Sequence, residues 1–90
     1  MKLPKVDLNL FVVFDTVYTE RNLTRAARVL HITQPAVSNA LKRLRAAFGD
    51  PLFVRTPRGV APTPVADNIA ARVKEALNML NVSLTEGEKF

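Results

Sequence analysis

The stretch TQPAVSNALKRLR, residues Thr33 to Arg45, can be helical only if the helix begins at its first residues. Pro35 has no backbone N–H and a fixed φ. A helix interior rejects both, but a first turn accepts them, because first-turn N–H groups have no intrahelical partner anyway. Thr33 supplies the capping side chain that such a start needs. The end is equally sharp, since Gly49 accepts a left-handed backbone and Asp50-Pro51 stops the helix. One helix of about fifteen residues is thereby set, and the rest of the chain is read around it.

The same punctuation divides the remainder. Asp7 can cap a first helix in which Leu8, Phe11, Val12 and then Val17 or Tyr18 recur at helical spacing, ending near Thr19. Glu20-Arg21-Asn22 is a polar turn, and Asn22 can cap a short helix through Leu30 with Ala26, Ala27 and Leu30 on its inner face. Leu52 to Arg55 and Val60 to Pro62 flank the turn-forming Thr56-Pro57-Arg58-Gly59, which predicts a small hairpin. Thr63-Pro64 repeats the cap-and-proline start and opens a long helix expected to reach about Ser83 before a polar tail. The chain holds no internal repeat and no low-complexity segment.

Composition excludes several chemistries. Without cysteine there is no disulfide framework, thiolate metal site or cysteine nucleophile, and the single histidine leaves little for zinc. No Ser or carboxylate pair stands near that histidine at a useful spacing, so no enzyme is expected. No apolar run approaches the roughly 20 residues of a membrane span, and Met1-Lys2-Leu3-Pro4 lacks the apolar stretch of a signal peptide. The expectation is a soluble cytoplasmic protein with no membrane partner.

The net charge of +5 is unevenly placed. Residues 21 to 60 carry Arg21, Arg25, Arg28, Lys42, Arg43, Arg45, Arg55 and Arg58 against Asp50 alone, whereas the flanks are slightly acidic. All but Lys42 are arginine, the residue best suited to phosphates and guanine edges. A polyanion partner is the first expectation; a merely solvated basic face is the alternative.

Three helices, a hairpin and a final helix describe a winged helix-turn-helix. Two short helices crossing steeply need apolar residues at particular places to pack on each other and on the first helix. Counting from Leu23, those places hold Ala26, Leu30, Ile32, Val37 and Ala40, and the site of closest helix approach holds the small Ala27. The first turn residue, which generally needs positive φ, is His31; histidine tolerates that conformation at modest cost. A ligand or pH-sensing role for His31 is the alternative, but no second metal-binding side chain clusters with it in sequence.

The run LTRAARVLHITQPAVSNALKRLRAAFGDPLFVRTPRGVAPT resembles the N-terminal DNA-binding domain of the LysR-type transcriptional regulators, from about Val6 through the last helix. TQPAVSNALKRLR followed by DPLFVRT and APTP is similar to the branch that includes regulators of aromatic degradation (naphthalene, nitroaromatics) and of nodulation. The resemblance implies a mainly α fold. Residues 1–62 would form the winged helix-turn-helix, a three-helix core with a short β-hairpin wing (motif 23–42, wing 52–62), and residues 63–90 a linker and dimerisation helix with a polar tail. Members usually continue into an effector-binding domain of about two hundred residues, so this chain is expected to be an excised DNA-binding half. It would carry no cofactor, the small-molecule effector belonging to the missing C-terminal domain.

In helix-turn-helix proteins the N-terminal part of the second helix faces base edges in the major groove while its flanks hold phosphates. Stepping 100° per residue, Val37, Ala40, Leu41, Leu44 and Phe48 fall inside, with Pro35, Asn39, Lys42, Arg43 and Ala46 opposite. Gln34 and Ser38 lie at the flank. The resemblance implies base contacts at Gln34, Pro35, Ser38 and Asn39. Gln34 and Asn39 can each pair bidentately with adenine, Pro35 can pack on a thymine methyl, and Ser38 can donate or accept. Many members carry arginine where this chain has Asn39, so adenine replaces guanine as the expected base there, a solvated polar side chain being the alternative. Backbone phosphates are assigned to Thr33 with the first-turn amides, Lys42, Arg43, Arg25 and Arg55, and the minor groove to Arg58 at the wing tip. Arg45 sits beside the inner face, where pairing with a carboxylate competes with a DNA role. In the last helix Ile69, Val73, Leu77, Leu80 and Leu84 form a stripe too long for so small a core to cover, so a partner helix is expected as its cover, packing on the first helix of the same chain being the alternative; the resemblance implies a homodimer through this helix, with higher oligomers in a full-length protein. The competing expectations are a non-specific architectural DNA-binding protein and a winged-helix protein-interaction module.

Overall fold

The computed structural model describes residues 7–88, with side chains through Thr85. The sequence readings made on Met1-Lys2-Leu3-Pro4, on Val6 and on the end of the tail lie outside these residues. Each helix begins where a capping side chain dictates. Asp7 accepts the Asn9 N–H (2.8 Å) and opens α1, Leu8–Glu20. Asn22 accepts the Arg25 N–H (2.8 Å) and opens α2, Leu23–Leu30. Thr33 accepts the Ala36 N–H (3.2 Å) and opens α3, Gln34–Phe48, with Pro35 in the first turn. β1 (Phe53–Thr56) and β2 (Gly59–Pro62) pair antiparallel, Thr56 opposite Gly59, across the two-residue turn Pro57-Arg58. Thr63 accepts the Ala66 N–H (3.2 Å) and opens α4, Pro64–Glu88.

Left-handed residues end the first three helices: Arg21, His31 and Gly49 at φ 56°, 57° and 63°. His31 therefore takes the turn role expected of it. Its N–H reaches Arg28 O and the Ile32 N–H reaches Ala27 O (3.0 Å), the paired bonds that satisfy a helix's last carbonyls.

Around one core pack Phe14 and Val17 of α1, Ala26 of α2, Val37, Leu41 and Leu44 of α3, Leu52, Phe53 and Val60 of the wing root, and Ala66 and Ala70 of α4. Burial of this kind stabilises at roughly 25 cal/mol per Å² of apolar surface, which is why the wing root and the start of α4 belong to the same unit as the three helices.

Four expectations are corrected. The inner face of α1 is Leu10, Val13, Phe14 and Val17, while Leu8 and Val12 are exposed. α1 is apolar nearly all round, so two stripes fit the helical period and periodicity alone cannot choose between them. Ile32 is 40 % exposed instead of packed, because the left-handed turn at His31 carries it out past the end of α2. Phe48 is only partly covered, meeting the Phe11 ring edge-on at 6.4 Å. Finally, α4 continues past Ser83 to Glu88. Ser83 and Thr85 direct their hydroxyls to the carbonyls of Met79 and Asn81 (both 3.0 Å), bonds compatible with a continuing helix, instead of breaking it.

Candidate nucleic-acid interface

The first six residues of α3 bring the four proposed base-reading positions together. Pro35 and Asn39 are exposed; Gln34 and Ser38 are half-buried and bonded to each other, the Gln34 amide Nε2 donating to Ser38 Oγ at 3.1 Å. One turn separates them along the helix, so their functional groups share a face. Thr33 Oγ1 is already an acceptor for the Ala36 N–H, which leaves its O–H free to donate. Pro35 lacks an N–H and the Ala36 N–H is capped, so the first-turn donors expected for a phosphate reduce to the Gln34 N–H.

The cations split into free and engaged. Lys42 and Arg43 are exposed on the outer side of α3, Arg55 is exposed on β1 and Arg58 at the hairpin tip. Among the described residues the one ion pair is Lys74 with Asp15 (3.2 Å), between α4 and α1, so no carboxylate neutralises these four. Cations without a carboxylate partner keep their full attraction for a polyanion. Arg25 is partly committed, its guanidinium donating to the Glu20 carbonyl (3.3 Å) at the end of α1. Arg45 does not pair with a carboxylate: its Nε donates to the Pro51 carbonyl (2.9 Å).

Arg21 was not singled out from the sequence. Its guanidinium lies 4.6 Å from the centre of the Tyr18 ring and its Nε donates to Tyr18 O (2.6 Å). Tyr18 in turn donates to Asp67 of α4 (2.7 Å), and this bond to a carboxylate, with partial desolvation and the nearby negative charge, raises the phenol pKa above its ordinary value. The Arg21 carbonyl receives the Val60 N–H (3.1 Å) and thereby ties β2 to α1.

Along α4 the predicted stripe is unevenly covered. Ile69 and Val73 are half-buried against the core and Leu77 is half-buried beyond them, whereas Leu80 and Leu84 are 49 % and 70 % exposed. Leu8, Phe11, Val73, Ala76, Leu77 and Leu80 line an apolar groove between α1 and α4. Among the described residues no group of His, Asp and Glu could hold a metal ion, and no helix is long and apolar enough to cross a membrane.

Residues 8–67 match the family model described as bacterial regulatory helix-turn-helix protein, lysR family. The chain is 50 % identical over its 90 residues to the HTH-type transcriptional activator NagR of a Ralstonia species, covering 30 % of that protein. It is 47 % identical over 90 residues to nodulation protein D 1 of a Bradyrhizobium species, covering 29 %. Among solved structures, a probable transcriptional regulator of Pseudomonas aeruginosa superposes with a TM-score of 0.87 at 44 % identity, over 91 % of this chain and 28 % of the other. The BenM_DBD/catB site 1 DNA complex gives 0.85 at 25 % identity, over 92 % and 93 %. The chain thus spans about 30 % of the length of the curated relatives it matches. On the family match over its helices and wing, this chain belongs to the bacterial regulatory helix-turn-helix proteins of the LysR family.

Proposed function

We propose that the chain binds double-stranded DNA sequence-specifically, as the DNA-binding half of a bacterial LysR-type transcriptional regulator. α3 serves as recognition helix in the major groove and the wing enters the minor groove. The observation that carries this reading is the start of α3, where Gln34, Pro35, Ser38 and Asn39 stand together at a capped helix N-terminus, with the unpaired Lys42 and Arg43 two turns on. Base edges are read by Gln34, Pro35, Ser38 and Asn39, and phosphates are held by Thr33, Arg25, Lys42, Arg43 and Arg55. Arg58, on a turn stiffened by Pro57, suits a narrow minor groove. The presence of DNA in the BenM_DBD complex supports the same class of partner.

Residues 1–62 form the DNA-binding unit in this reading, and residues 63–90 the linker and dimerisation helix. The uncovered Leu80 and Leu84, continuous with Ile69, Val73 and Leu77, favour a second copy of α4 as their cover. A two-fold dimer then presents two recognition helices to half-sites about one helical turn apart. The chain itself acts without cofactor or catalysis, in the cytoplasm on the nucleoid, and a small-molecule effector acts through a further domain of the full-length regulator.

Titration of specific and random duplex across a salt series tests this. Sequence-specific readout predicts a large affinity ratio that persists at physiological salt, with Arg58→Ala lowering the salt slope by about one unit. Equal affinities at every salt concentration would establish a non-specific architectural binder instead, and no measurable binding a protein-interaction module.

A further inference from the structure

The chain between α3 and the wing is held by an unusual concentration of bonds. Asp50 Oδ2 accepts both the Leu52 N–H (2.8 Å) and the Thr63 hydroxyl (2.7 Å). Thr63 returns its N–H to Leu52 O (2.8 Å) while its hydroxyl oxygen caps α4. The Pro51 carbonyl accepts the Phe53 N–H (2.7 Å), a three-residue turn centred on Leu52, and also the Arg45 Nε (2.9 Å) from α3. Leu52 is fully buried and sits at φ 64°, a conformation costly for leucine that persists only where its surroundings enforce it. One carboxylate oxygen and one carbonyl oxygen therefore join the end of α3, the root of β1 and the start of α4.

A two-stranded ribbon has little rigidity of its own, so the direction of the wing is set by what grips its root. Asp50 is also the sole carboxylate among residues 21–60, in the most cationic part of the chain. A negative charge there opposes any polyanion, so a direct DNA contact does not account for it, whereas its two accepted bonds do.

We propose that Asp50 and Arg45 are positioning residues for the wing. They lock the root of β1 to the end of the recognition helix, which fixes the reach from Gln34 and Asn39 to Arg58, and neither contacts DNA. The proposal rests on the wing reading given under Proposed function for its consequence in binding, but its geometric half is independent of it. Asp50 needs only an acceptor oxygen for this role. An asparagine amide oxygen can accept the same two bonds and removes the opposing charge.

The test uses the ninety-residue chain with Asp50→Asn, Asp50→Ala, Arg45→Ala and Arg58→Ala, the thermal melt of each confirming that it is folded. Residual dipolar couplings of the N–H groups of the non-proline residues from 53 to 61, referred to those of α3, report wing direction without DNA. Asp50→Ala and Arg45→Ala are expected to change them and Asp50→Asn to leave them in place. In duplex binding, Asp50→Asn is expected to equal or exceed the parent, whereas Asp50→Ala falls about tenfold below Asp50→Asn, a difference that shrinks to within about twofold when Arg58 is already alanine. Unchanged couplings in Asp50→Ala would overturn the proposal. So would an Asp50→Ala deficit that is the same with and without Arg58 although Arg58→Ala by itself weakens binding. If the couplings change but Arg58→Ala has no effect on binding, the wing reading fails and the positioning role stands.

Discussion

Replacing Gly59 with alanine isolates the contact that seats the wing on α1. Gly59 has φ 144°, a region that side chains rarely enter, and a Cβ built there collides with the Arg21 carbonyl oxygen, with Asn22 Cα behind it at 3.7 Å. These are backbone atoms, so no flexible side chain can yield. The same carbonyl accepts the Val60 N–H, so moving it away breaks a bond as well. The forced φ costs ~1–3 kcal/mol, crowding against backbone ~1–3 kcal/mol and the lost bond ~1 kcal/mol. These are not fully additive, and roughly 3 to 5 kcal/mol is expected, against ~5–13 kcal/mol for a domain of this length. Gly49 is the control: at φ 63° it is also left-handed, yet a Cβ there meets nothing within 4 Å, so Gly49→Ala should cost only about 1 kcal/mol. Urea and thermal unfolding at one fixed protein concentration measure both, and Gly59→Ala should melt more than about 10 °C lower than Gly49→Ala. Equal destabilisation of the two would show that the Arg21 carbonyl does not constrain the wing.

Tyr18 is the only tyrosine, so its phenolate absorbance titrates alone. Its raised pKa predicts a midpoint above the ordinary tyrosine value, brought down by Asp67→Asn; because the folded pKa is the higher one, this bond's stabilisation is present below the ordinary value and lost as pH rises through the folded midpoint, and an unshifted titration would remove the bond. Gln34→Ala should lower specific binding by roughly 1 to 3 kcal/mol and leave random-duplex binding nearly intact, whereas a parallel fall in both would make Gln34 structural or a phosphate contact. Sedimentation should find a dimer at tens of micromolar that Leu80→Glu or Leu84→Glu dissociates; a parent chain that sediments as a monomer would contradict the role given to α4.

The features legible in the sequence were those with local causes. Thr33 and Pro35, Asn22, Asp7 and Gly49 each act through the backbone within a few residues, so cap, start and stop could be read directly and the structure places them as read. The tight turn at His31 followed from the spacing of the two short helices. What escaped depends on partners distant in sequence. Nothing near Arg45 marks Pro51 O as its acceptor, and Asp50, read only as part of a helix stop, gains its place from Thr63, thirteen residues on. Leucine at position 52 gives no sign of positive φ; burial and the Asp50 bond impose it. The choice of inner face on α1 failed for a different reason: with Leu8, Leu10, Phe11, Val12, Val13 and Phe14 all apolar, only tertiary packing decides which stripe is covered. The unused stripe is not idle, for Leu8 and Phe11 help to line the groove beside α4. In the interface, residue types on α3 were readable, but the Gln34–Ser38 bond and the engagement of Arg25 with Glu20 were not.

Selection of bound sequences from a random duplex pool tests sequence-specific recognition most directly, because the enriched motif reports specificity, half-site spacing and dimer symmetry together. Sequence reading by the start of α3 in a two-fold dimer predicts an imperfect palindrome with half-site centres about one helical turn apart, and adenine preferred at the base pair whose preference is lost in Asn39→Ala. A pool that binds in a salt-dependent way yet shows no enriched motif after repeated rounds would contradict it.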